Sequence, residues 1–108
     1  MKVLNSEQFI GGWFVGDFTP SAYRTKDFEV CYKFHHKNEE WPKHLHTESI
    51  EINYLMHGSM VIQDQILTAP TVFIMDKLEV SDAEFLEDCE IIVVKVPSIP
   101  NDKRIIKE

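Results

Sequence analysis

Two stretches of this chain place apolar side chains at every second position, and that period constrains the fold more than any other feature. Phe28, Val30, Tyr32 and Phe34 alternate with Glu29, Cys31, Lys33 and His35, and Ile50, Ile52, Tyr54 and Met56 alternate with Glu51, Asn53, Leu55 and His57. Side chains of an extended strand point alternately to opposite faces, so a period of two builds a half-buried β-strand. No stretch carries the apolar period of a helix of ordinary length. Residues 91–96 (IIVVKV), closed by Pro97, are the most apolar run and read as a central strand. The continuous run at 71–75 (TVFIM) reads as a strand buried on both faces. Shorter runs at 59–63 and 65–68 are separated by Asp64, with turn residues at 57–59 and 63–65. Short strands in quick succession predict an all-β barrel or sandwich.

The run HLHTESIEINYLMHG, residues 44–58, adds chemistry to this pattern. His44 and His46 stand two apart, so in a strand both imidazoles point the same way. A turn at 47–49 would bring the Glu51 carboxylate back over them. Two neutral imidazoles and one carboxylate suit a divalent first-row metal and leave positions open for water or substrate. His57 shares the parity of Glu51 but lies six residues on, roughly 20 Å at strand rise, too far for the same ion.

The spacing His44-x-His46-x4-Glu51-x6-Gly58 resembles the first motif of the cupin superfamily, small β-barrels whose two histidines and glutamate bind a metal inside the barrel. The family's usual glycine six residues before the first histidine is Asn38 here. The second motif (glycine, five residues, proline, one, glycine, two, histidine, three, asparagine) falls on Ala69, Met75, Lys77, Val80 and Glu84, all of them substitutions. Valine cannot ligate a metal. A slip of one residue puts Glu79 or Ser81 at that place, and Asp82 shares the parity of Val80; a replacement acidic ligand and a loop of solvated carboxylates are the two readings.

The resemblance spans about 28–97. It implies an all-β cupin-type β-barrel or double-stranded jelly roll, a single cupin domain over 1–108 with an N-terminal arm at 1–27 and a C-terminal tail at 98–108. It further implies a divalent metal (Fe, Mn, Ni or Zn) on His44, His46 and Glu51, a small polar molecule in the lumen, and a homodimer. The chemistry implied is that of a dioxygenase, isomerase or lyase; the alternatives are a non-enzymatic ligand-binding module and a structural cupin in which the histidines merely hydrogen-bond Glu51. No residue is singled out as catalytic, and no organic cofactor is expected.

Charge excludes some partners. A formal net charge of −7 argues against nucleic acid or an anionic membrane surface, and the one basic cluster, Lys103, Arg104 and Lys107, reads as a solvated tail. Polar residues from Asn5 to Gln8 interrupt any signal-peptide core, so a cytoplasmic protein is expected. Cys31 and Cys89 read as buried thiols and His35 and His36 as ordinary exposed or satisfied histidines. Residues 1–27 read as turns with a short strand near 13–15, their aromatics plugging a barrel end. Trp41, before Pro42, reads either as lying over the mouth of a site or as an aromatic lid on the core.

Overall fold

The structure, a computed structural model, describes residues 1–107. In chain order the strands are β1 Trp13–Val15, β2 Glu29–His35, β3 His44–His46, β4 Ile50–His57, β5 Ser59–Ile62, β6 Gln65–Thr68, β7 Thr71–Met75, β8 Glu84–Phe85, β9 Cys89–Val96 and β10 Lys103–Ile105. Among the described residues the helical content is two 3-10 turns, Ser6–Gln8 and Ile10–Gly12.

The strands form a five-stranded antiparallel sheet in the order β1-β2-β9-β4-β7, a three-stranded sheet β6-β5-β8 and a ribbon β10-β3. The apolar strand β9 lies at the centre of the large sheet, as its composition predicts. Cys31, Leu55, Ile91 and Val93 from that sheet pack against Met60, Ile62 and Phe85 from the smaller one. Two sheets face each other across one interior, the arrangement of a jelly roll, without a ladder that closes them into a barrel.

Register decides what each face presents. One inward row runs Cys31, Val93, Asn53, Phe73, and the next runs Glu29, Lys95, Glu51, Met75. The outward rows run Val30, Val94, Ile52, Ile74 and Tyr32, Ile92, Tyr54, Val72. This reverses the simplest reading of β2: its apolar set faces out, with Tyr32 41% and Phe34 44% exposed, while Glu29, Cys31 and His35 are buried. It also corrects the reading of residues 71–75. β7 is an edge strand whose Val72 and Ile74 are each 59% exposed. A continuous apolar run signals two apolar faces, and here only one of them is covered by the same chain.

Two backbone positions explain parts of the motif. Gly58, between β4 and β5, has φ +93°, and a Cβ there would lie 2.4 Å from the Asp88 carbonyl oxygen and 2.7 Å from Cys89 Sγ. The chain crosses from one sheet to the other at this point with no room for a side chain. Asn38 adopts φ +63°, so asparagine supplies the left-handed backbone expected of the glycine it replaces.

The C-terminal segment departs from a free solvated tail. Its side chains stay largely exposed, but β10 pairs with β3 in register, Lys103 opposite His46 and Ile105 opposite His44. β3 is three residues long, and β10 supplies partners for backbone groups that would otherwise form an open edge.

Candidate metal centre

β3 delivers His44 and His46, and β4, entered through the turn at 47–49, returns Glu51 over them. One ligand atom from each of the three lies within 4.8 Å of the others. His46 Nε2 is 2.9 Å from Glu51 Oε2. His44 Nδ1 is 3.2 Å from the Pro42 carbonyl, which can only accept, so the neutral ring carries its proton on Nδ1 and keeps the lone pair of Nε2 for a metal. Burial is the main cause holding the His44 imidazole below its ordinary 6.5. Burial pushes the Glu51 carboxyl up, but the hydrogen bond with His46 and the charge of both imidazoles outweigh it, and the group stays below its ordinary 4.5. At neutral pH His44 is therefore neutral and Glu51 ionised, the forms in which they can ligate.

A further carboxylate organises the turn. Asp102 accepts from Thr47 N at 3.1 Å, Thr47 Oγ1 at 2.6 Å, Glu48 N at 3.2 Å and Ser49 N at 3.0 Å. Burial would raise its carboxyl, yet these donors outweigh that and hold it at about 2. Its Oδ2 also lies 3.9 Å from His46 Nδ1, a buried nitrogen that has no hydrogen-bond partner. Nothing in the sequence marks this residue. Asp102 is 55 positions from Thr47, in the segment that reads as a C-terminal tail.

The orphaned nitrogen tests whether a metal fits. With Nε2 directed at Glu51, Nδ1 lies buried 3.9 Å from the Asp102 carboxylate and makes no hydrogen bond. If Nε2 ligated an ion, the ring proton would sit on Nδ1 and face Asp102, the usual support for a ligating histidine. The donor set and its surroundings therefore fit a divalent metal.

The second-motif region brings no acidic ligand to the cluster. Glu79 Oε2 accepts from Asp76 N at 3.2 Å and Asp82 Oδ1 from Gln63 N at 2.8 Å. Ser81, one residue past Val80, lines the lumen with Met75 and Ala83, and its backbone pairs with that of His44 by hydrogen bonds of 2.8 and 3.2 Å.

Above the cluster lies a cavity of about 360 Å³. Trp13 and Phe18 of the N-terminal arm form part of its wall, so the arm shapes the lumen as well as covering an end. Trp41 also stands on the wall, 39% exposed, at the mouth. His35 is buried, stacked on Phe85 at 4.2 Å, with Nδ1 2.5 Å from Glu39 Oε2, which also accepts from the Trp41 indole. His35 is thus a satisfied histidine, as the sequence suggests, and it steadies Trp41. Lys95 and Glu29 form a buried pair at 3.2 Å. Cys31 and Cys89 are unpaired and buried, and burial pushes the Cys31 thiol up to about 12, away from nucleophilic use.

No family model and no curated protein sequence matches the chain. Solved structures do. A Klebsiella pneumoniae protein with a double-stranded β-helix domain superposes with a TM-score of 0.68 at 18% identity, over 78% of this chain and 74% of its own. An RmlC-like cupin from Ralstonia eutropha gives 0.58 at 18% identity, over 76% and 57%. The DMSP lyase DddQ of Ruegeria pomeroyi gives 0.69 at 8% identity, over 86% of this chain and 49% of the lyase. The jelly roll described above is therefore a double-stranded β-helix. This chain has the cupin fold.

Proposed function

We propose that this protein is a metal-binding cupin that holds a small polar molecule in its lumen, with His44, His46 and Glu51 as the protein ligands. The observation that carries this reading is the convergence of three ligand atoms within 4.8 Å at the floor of a cavity, beside a buried imidazole nitrogen that lacks a partner. A divalent ion held there would polarise a carbonyl or hydroxyl of the bound molecule or, if redox-active, supply electron-transfer chemistry, as in a dioxygenase, isomerase or lyase. The protein's own part is positional. Asp102 holds the turn that presents Glu51 and faces the Nδ1 of His46, and the Pro42 carbonyl sets the His44 tautomer. Ser81, one residue past the Val80 that falls on the family's fourth-ligand position, lies on the lumen wall with its backbone paired to His44.

One observation favours a second reading, a structural cupin without metal: the 2.9 Å contact of His46 with Glu51 is a complete hydrogen bond by itself. Metal analysis of protein purified without an affinity tag separates the two. The expected result is a near-stoichiometric divalent metal that a His44→Ala, His46→Ala double variant loses; equal metal content in both proteins would overturn the assignment.

We further propose a cytoplasmic homodimer. Support comes from the outward rows of the five-stranded sheet, where Tyr32, Tyr54, Val72 and Ile74 are exposed beside half-buried Val30, Ile52, Ile92 and Val94, and from two buried unpaired thiols suited to a reducing compartment.

A further inference from the structure

In a chain of net charge −7, three of the eleven basic residues, Lys33, Lys95 and Lys103, line this one cavity. The carboxylates on its wall already have partners. Glu29 takes Lys95 at 3.2 Å and Ser98 Oγ at 2.9 Å, Asp102 takes the donors of 47–49, and Glu51 takes His46 at 2.9 Å. Lys33 Nζ donates to the Gly11 carbonyl at 2.6 Å and keeps further N–H groups. Among the described residues neither Lys33 nor Lys103 has a carboxylate within 4.0 Å.

Both ammonium groups converge on one indole at the mouth, since the Trp41 ring centre is 5.6 Å from Lys33 Nζ and 5.0 Å from Lys103 Nζ. The remaining wall is mostly apolar, with Met60, Phe73, Phe85 and Val93. Two like charges gathered about one indole repel each other, and a neutral or cationic occupant offers them no counter-charge. An anion offsets both, through charge-assisted hydrogen bonds of the stronger kind.

Building on the reading of the lumen as a ligand site, we propose that it takes a compact organic anion, whose carboxylate or phosphate head sits between Lys33 and Lys103 beside Trp41 and whose body lies over the apolar wall toward His44, His46 and Glu51. A volume of about 360 Å³ is at the lower end for small-molecule sites and restricts the occupant to a compact molecule.

The test uses the full chain, stripped of metal with EDTA and then reloaded with Zn(II). The chain's two tryptophans, both on the lumen wall, provide the fluorescence readout. Malonate, its neutral isostere malonamide and inorganic phosphate are the probes. Malonate or phosphate should change the emission saturably and malonamide should not, the tighter of the two anions naming the head group. Lys33→Met and Lys103→Met should each weaken anion binding by about tenfold or more, and Lys103→Arg should retain it. Circular dichroism checks folding; should Lys33→Met not fold, Lys103→Met carries the test, because Lys103 is exposed at the mouth. The proposal is overturned if malonamide binds as well as malonate, if the folded lysine variants keep wild-type affinity, or if neither anion gives a saturable response at millimolar concentration. An anion response that persists in a protein unable to hold Zn(II) would support the lysine site while removing the metal reading. Zn(II) binding with no lysine-dependent response would do the reverse.

Discussion

At the scale of single residues, the candidate centre depends on two carboxylates in different roles, Glu51 and Asp102. Glu51 belongs to the ligand cluster, whereas Glu79 and Asp82 are engaged by backbone donors elsewhere. Glu51→Gln is therefore expected to reduce metal content sharply, with Glu79→Gln and Asp82→Asn near wild type; loss of metal in Asp82→Asn with retention in Glu51→Gln would reverse the assignment. Asp102 acts through the turn. Its carboxyl is held at about 2 in the fold against an ordinary 3.8, so its contribution to stability is complete above about 3.8 and is lost as the pH falls toward 2. Asp102→Asn should cost about 1–3 kcal/mol at neutral pH and flatten the acid limb of the stability curve, measured by urea unfolding of metal-stripped protein over a pH series. An unchanged acid limb would show that Asp102 does not carry that dependence.

At the scale of elements, alternation located β2 and β4, yet the identity of the inward face differed from the simplest expectation for β2. The large sheet turns Glu29, Cys31 and His35 inward because its interior is a lined cavity with charged groups, and Lys95 meets Glu29 there. Such a lumen inverts the usual inference that the apolar side of a strand is the buried side. The corner at Gly58 is the element boundary most sensitive to side-chain size. Gly58→Ala should destabilise the fold by at least ~1–3 kcal/mol from the positive φ alone, with the overlap against Asp88 and Cys89 adding to it. A thermal melt indistinguishable from wild type would mean that the crossing between the sheets can relax.

For the whole molecule, the uncovered outward rows set an expectation about assembly. Tyr32, Ile92, Tyr54 and Val72 lie in line across four strands beside Val30, Val94, Ile52 and Ile74, a largely apolar face of the kind that pairs. Tyr54 stands near its middle, 47% exposed. Light scattering after size exclusion should give a dimer mass for the wild type and a monomer mass for Tyr54→Glu with the fold intact, because a buried unpaired carboxylate would oppose association. A wild-type monomer at micromolar concentration would remove the homodimer.

What the sequence determined by itself was local in origin. A period of two, a histidine pair two residues apart and a glutamate at the right parity beyond a turn are properties of neighbouring residues, and they were enough for β2 and β4, the all-β class and the three-residue cluster. Tertiary structure alone decided which face of β2 and β7 is covered, that the tail returns as β10 beside β3, and that Asp102, Lys103 and Ser81 meet His44 and His46. Those meetings join positions tens of residues apart and follow from how two sheets close on one interior, a geometry that no spacing along the chain encodes.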